Sequence, residues 1–221
     1  MPQVIFKFDK NNDLLNIWDA CNSDSKWRDF TKGINPHILD LCKKTKFKKA
    51  KKEIERYYRN VHGSVLIKPF IKAVNDSWKL INNEFFRRLE KIMGRPICSR
   101  KFTGYMTIIA RCPYNPNDKT FKFNFFNSIP GILKTAGHEI MHIQFHHTYW
   151  NYVEKKVGKE KTADLKEALT VLLNVEFKDL WFVKDDGYPA HQKLRKFIEE
   201  KWKKEKDFKK LLDECIRYLK K

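Results

Sequence analysis

The chain is poor in acid for the base it carries: 27 Asp and Glu stand against 46 Lys and Arg in 221 residues, a formal net charge of +19. It has no apolar run near the roughly 20 residues that span a bilayer, so no membrane-spanning segment is expected. Cysteine is sparse and scattered. Cys21, Cys42, Cys98, Cys112 and Cys215 are odd in number and include no C-x-x-C. That argues against disulfides and cysteine zinc fingers and for ordinary thiols. The opening MPQVIFKFDKNND lacks a basic stretch followed by an apolar one, so a secretory signal is not expected and the cytoplasm is the expected location. No internal repeat or flexible linker interrupts the chain.

What is present supports one folded unit. An apolar fraction of 42% and an aromatic fraction of 14% supply a core and exclude general disorder. The excess base admits nucleic acid or an anionic membrane surface as a partner. Its densest run is Lys43, Lys44, Lys46, Lys48, Lys49, Lys51 and Lys52. No RNA-binding signature or finger spacing accompanies it, and a solvated surface accounts for it equally.

Periodicity divides the chain into elements. Residues 4–8 alternate as a strand. Residues 14–30 look helical, with a break at Asn22, Ser23 and Asp24. A helix over 36–58 starts at Pro36 with Asn35 as its cap. The longest helix, 66–93, carries a core stripe of Ile71, Val74, Trp78, Ile81, Phe85, Leu89 and Ile92 and ends at Gly94. Residues 102–110 and 120–126 read as the two strands of an antiparallel hairpin around the turn 113–118. A helix over 128–153 follows, capped by Ser128, and Gly158 separates it from a helix over 162–182. Two basic helices, 190–203 and 206–219, close the chain. The expected fold is α+β and predominantly helical, with a small mixed or antiparallel sheet, in a single domain. Its parts are a helical region over 1–100 with one strand, the sheet with two helices over 101–182, and C-terminal helices over 183–221.

The helix over 128–153 carries TAGHEIMHIQ, residues 135–144. His138 and His142 are one turn apart on one face, so both imidazoles can grip one metal ion, and Glu139 sits beside the first. Two neutral nitrogens and an adjacent carboxylate suit zinc hydrolysis chemistry. A catalytic zinc needs a third protein ligand. His146 shares the face, but eight helical residues rise about 12 Å against zinc–nitrogen bonds of about 2 Å, so it cannot converge with the other two. Glu167 lies in DLKEALTVLLNV, apolar on more than one face, where a carboxylate needs a partner. Glu176 and Asp179 are alternatives, as is a Glu167 that is simply solvated.

TAGHEIMHIQ resembles the active-site pattern of zincin metallopeptidases, with Gln144 where that pattern usually has an apolar residue. Glu167, 25 positions after His142, resembles the third ligand of the gluzincin branch. The resemblance implies a zinc-dependent peptidase (a hydrolase) whose metal ligands are His138, His142 and Glu167. It implies a zinc-activated water with Glu139 as general base, and Tyr188 or His191 in GYPAH as oxyanion donor. The branch often has an Asp one turn after the Glu. Here that position is Val171, so support for the first histidine is expected from Asn174 or a backbone carbonyl. In zincins the substrate pairs with a sheet edge, which makes the hairpin a candidate shelf for a peptide or protein substrate. Small gluzincins can be self-inhibited, so residues 1–100 complete the fold, bind a partner or cover the cleft; Cys21 or Cys42 could reach the metal as a thiolate. Two other readings remain: a DNA-associated SprT-like metalloprotease, whose third histidine would be His146, His147 or His191, and a non-catalytic basic helical binding protein.

Overall fold

The computed structural model describes residues 1–23 and 28–220. The part of the expected first helix over 24–27 lies outside the described residues. Four strands form a mixed sheet in the order β1-β2-β4-β3. They are β1 (Gln3–Lys7), β2 (Lys101–Thr107), β3 (Tyr114–Asn115) and β4 (Thr120–Asn124). Helices α1 (Lys10–Asn22), α2 (Pro36–Lys44), α3 (Phe47–His62) and α4 (Ile67–Met93) lie between β1 and β2. The motif helix α5 (Ile129–Thr148), then α6 (Trp150–Leu169), α7 (Val171–Glu176), α8 (Lys178–Trp181), α9 (Gln192–Lys204) and α10 (Phe208–Lys220) follow β4. The α+β class and the helical excess are as expected.

The sheet corrects one expectation. β2 and β4 are parallel neighbours, with Thr103 opposite Thr120, not the arms of a hairpin. The turn cluster instead joins β3 to β4: Tyr114 faces Phe121 and Asn115 faces Thr120 in antiparallel register. The chain leaves β2, returns along residues 108–113, and pairs with β4 through β3 and through the Pro113 carbonyl, which accepts from Lys122 N at 3.0 Å. Asn115 Oδ1 closes the turn by accepting from Asn117 N at 2.9 Å. Neither expected strand is an edge; β1 and β3 are.

The two edges are treated differently. Asn75 of α4 accepts from Phe6 N at 3.0 Å and donates to Phe6 O at 2.8 Å, covering the β1 edge. An edge satisfied by side chains is closed to further strands. The sheet's alternation is plain in β4, where Phe121 and Phe123 are buried while their neighbours are half-buried. Those rings pack edge-on against Phe6, which in turn meets Trp78 of α4. The phenylalanines are core.

Some helices are shorter than their periodicity implies. The helix expected over 36–58 breaks at Thr45, where the Thr45 hydroxyl donates to Leu41 O at 2.8 Å. Asn35 and Ser128 cap α2 and α5 as expected, accepting from His37 N and Gly131 N. α6 bends sharply at Gly158, whose φ is 81°. The helix expected to reach 182 stops at Thr170 and continues as the short α7 and α8. The stripe of α4 is buried at Val74, Trp78, Phe85, Leu89 and Ile92 and half-buried at Ile71 and Ile81.

α5 sits against β4, α4, α6 and α8. At Gly137, one residue before the motif, an added Cβ would lie 2.7 Å from the Trp181 ring and 3.2 Å from Phe85. No side chain fits without pushing α5 off its bed. Gly137→Val is expected to lower stability by about 1–3 kcal/mol through overpacking. Urea denaturation of the metal-free protein reads this, and an unchanged midpoint would contradict the contact.

Candidate metal centre

Two helices bring three ligand atoms together. On α5, His138 and His142 share one face, their ring centroids 4.3 Å apart. The second half of α6, redirected by the bend at Gly158, carries Glu167 across that face. Glu167 Oε2 lies 3.2 Å from His142 Nε2 and 3.6 Å from His138 Nε2. The three ligand atoms all fall within 4.8 Å of one another. Zinc bonds of about 2.0–2.1 Å in a tetrahedron give ligand–ligand edges of about 3.3–3.4 Å. The two distances to Glu167 bracket that edge.

The donor chemistry fits a dication as well. Burial and the Lys166 ammonium push His142 down to about 3, so its ring is neutral at physiological pH and could serve as a ligand. Burial disfavours charge on His138, but Asp185 and Glu167 outweigh it and push its pKa to about 10. His138 therefore holds a proton between two carboxylates where a metal ion would sit on Nε2. Burial raises Glu167 too, yet the two imidazoles and Lys166 hold it ionised, well below the usual carboxylate range. His142 Nδ1 is buried with no hydrogen-bond partner.

The carboxylate behind His138 is Asp185. Its Oδ2 lies 2.7 Å from His138 Nδ1, so it fixes the ring with Nε2 facing Glu167. Three groups hold Asp185 in place. Thr170 donates to Oδ1 at 2.9 Å, and Arg195 Nη2 lies 3.1 Å from the same oxygen. Asn174 pins the backbone, accepting from Asp185 N at 2.7 Å and donating to its carbonyl at 2.8 Å. Asn174, one of the residues expected to support the first histidine, does so only by placing Asp185. A carboxylate from the turn fills the role that Val171 cannot. Asp185→Ala is expected to weaken zinc binding by about 10- to 100-fold. Competition against a chromogenic chelator measures this; unchanged affinity would show that Asp185 does not orient the ring.

Gly187 closes the same turn. Its φ is +64°, and an added Cβ would lie 2.7–2.9 Å from the Arg195 side chain. Gly187→Ala is both strained and crowded, and is expected to move Arg195 off Asp185. It should lower both melting temperature and zinc affinity, as calorimetry and the same chelator competition would read; a change in neither would contradict the packing.

Lys166 carries no motif signal in the sequence. Its side chain is 7% exposed and donates to Glu167 Oε1 at 2.6 Å, leaving Oε2 to the histidines. It also lies 4.7 Å above the Tyr114 ring. Tyr114 of β3 packs on His142 at 5.3 Å, so the sheet edge touches the centre directly.

Glu139, Tyr188, Tyr114, Lys166 and the three converging residues line one cavity with Arg111, Cys112, Pro113 and Phe30. Burial pushes Glu139 up to about 7, helped by Glu167 and opposed by His138. Burial, with Glu167 and Glu139 nearby, pushes the Tyr188 phenol above its ordinary value, so it stays a neutral donor. His191 is placed differently from the expectation: its Nε2 lies 3.2 Å from Asp164 Oδ1 and its ring meets Tyr188 edge-on at 5.7 Å. It stands behind Tyr188 and does not line the cavity.

The other candidate ligands are elsewhere. His146 stacks on Trp150 with centroids 4.1 Å apart, and His147 Nε2 lies 2.8 Å from Pro116 O. Asp179 pairs with Arg88 at 2.6 Å, and Glu176 with Lys206 at 2.7 Å. Cys21 and Cys42 are buried, and neither joins the convergent group among the described residues. The cysteine on the cavity wall is Cys112, whose thiol burial and Glu139 push up to about 12, so it is neutral. Among the described residues no helix is long and apolar enough to cross a membrane. Compared with protein-family models, characterised proteins and solved structures, the chain matches none.

Proposed function

We propose that the chain is a zinc-dependent peptidase. The observation that carries the reading is the convergence of His138 Nε2, His142 Nε2 and Glu167 Oε2 beside Glu139 on one cavity wall. Bound zinc supplies Lewis acidity and an acidified water. His138 and His142 bind through neutral nitrogens, with Asp185 orienting the first. Glu139 takes a proton at its carboxylate and returns it to the departing amide nitrogen. Tyr188 donates its hydroxyl hydrogen to the oxygen that gains charge. Lys166 holds Glu167 to one oxygen. The peptide lies extended along the free side of β3, which borders the cavity through Pro113 and Tyr114, and pairs with its backbone.

Zinc-loaded protein should cleave an unstructured protein such as casein, lose the activity to a chelator and regain it with one equivalent of zinc. Zinc-loaded protein that cleaves neither casein nor a mixed peptide library would sink the reading. The DNA-associated alternative requires a third histidine ligand, and none of His146, His147 or His191 joins the convergent group among the described residues.

A further inference from the structure

A second cavity of about 370 Å³ shares His138, Glu139, Cys112 and Tyr188 with the first. Its wall carries the cations Arg28, Lys134 and Lys184 beside the carboxylates Glu139, Asp185 and Asp186. Lys134 lies one turn before His138 on α5, so it shares the motif's face. Its side chain is 23% exposed, and its acidic neighbour is Asp185, 3.9 Å away. Asp185 is already engaged, by His138 at one oxygen and by Thr170 and Arg195 at the other. Lys184 lines the same cavity, and of the two further acids there Glu139 belongs to the motif while Asp186 is 82% exposed with its oxygen 3.8 Å from the Lys184 ammonium. Asn124 and Asn127 also line it. A half-buried ammonium with a distant, shared counter-ion is stabilised when an anion reaches it. A dication at the neighbouring centre makes the cavity more positive still.

Resting on the peptidase reading, we propose that this cavity is a carboxylate subsite: substrates carry an acidic group beside the scissile bond, and Lys134 selects them. The carboxylate comes from an Asp or Glu side chain or from a free peptide C-terminus. Both present the same planar anion, which Lys134 meets with a charge-assisted hydrogen bond and the asparagine amides meet with neutral ones. A hydrogen bond to a charged group contributes enough for about a 10- to 100-fold preference over a neutral isostere.

Two peptide pairs test this on the full zinc-loaded chain: internal Glu against Gln, and free acid against C-terminal amide. kcat/KM is expected to favour the acidic member of at least one pair by about 10-fold or more, and the pair that responds names the source. Lys134→Gln should collapse that preference, and Lys134→Glu should turn it toward Lys-bearing peptides. A second readout needs no turnover. Fluorescence anisotropy of the same labelled peptides on zinc-loaded Glu139→Gln protein should show the same preference and the same dependence on Lys134. Acidic peptides bound through Lys134 but never cleaved by the wild type would leave the subsite standing and remove the peptidase reading. Equal binding of both members in both pairs, or a preference indifferent to Lys134→Gln, would overturn the subsite whether or not peptides are cleaved.

Discussion

Glu139→Gln is expected to keep one zinc per chain and to lower kcat for peptide hydrolysis by about 10²–10⁴-fold. Glutamine has the shape of glutamate, so the cavity wall survives, but its amide neither takes nor returns a proton. Glu139 is not among the three converging ligand atoms, so its loss leaves the donor set whole. Removing one carboxylate from a cavity that also holds Glu167 should if anything loosen zinc slightly. The separation of the two readouts is the point of the variant. Steady-state kinetics with zinc content on the same sample decides it. Loss of zinc together with activity would make Glu139 a ligand or a structural group; retained activity would remove it from proton transfer.

The second large effect is expected at Glu167. Glu167→Ala should abolish stoichiometric zinc and also destabilise the metal-free fold. Lys166 donates to Glu167 at 2.6 Å with both side chains 7% exposed. Breaking a buried pair by removing one partner typically costs about 3–5 kcal/mol, because the remaining charge is stranded. Lys166 keeps only its contact with Tyr114. Replacing both partners by apolar residues of similar volume, Lys166→Met with Glu167→Leu, should recover most of the stability without recovering zinc. Urea denaturation under chelator gives the stability, and equilibrium dialysis gives the metal. A double variant as unstable as Glu167→Ala would show that the loss comes from something other than the stranded lysine. A Glu167→Ala protein that still holds one zinc would show that the third ligand is another group.

Much of this centre is visible in residue order because helix geometry is local. Spacing alone places His138 and His142 on one face and removes His146. Glu167 stands out because a carboxylate in an apolar helix needs a partner. Asp185 does not stand out. It lies in a turn, where Asp is common for its own backbone chemistry, and only the folded chain brings it to His138. Lys166 is hidden by its neighbours, since its period is that of a solvated residue. The sheet is legible in its strands but not in their direction. The alternation of Phe121 and Phe123 is the same whether β4 runs parallel or antiparallel to β2. The turn at 113–118 is real, but it serves the two-residue β3, too short to register as a strand. The breaks at Thr45 and Thr170, the C-caps of α2 and α6, fall inside stretches whose apolar period runs on, so residue order carries no signal of them.

The nature of the metal centre itself is open to one direct measurement. Zinc K-edge X-ray absorption on purified, zinc-titrated protein reads both stoichiometry and ligands. The expected result is one zinc per chain with two imidazole nitrogens and light oxygen donors at about 2.0–2.2 Å, and loss of one imidazole shell in His142→Ala. Failure to take up zinc, or a sulfur shell at about 2.3 Å, would contradict a centre built from His138, His142 and Glu167.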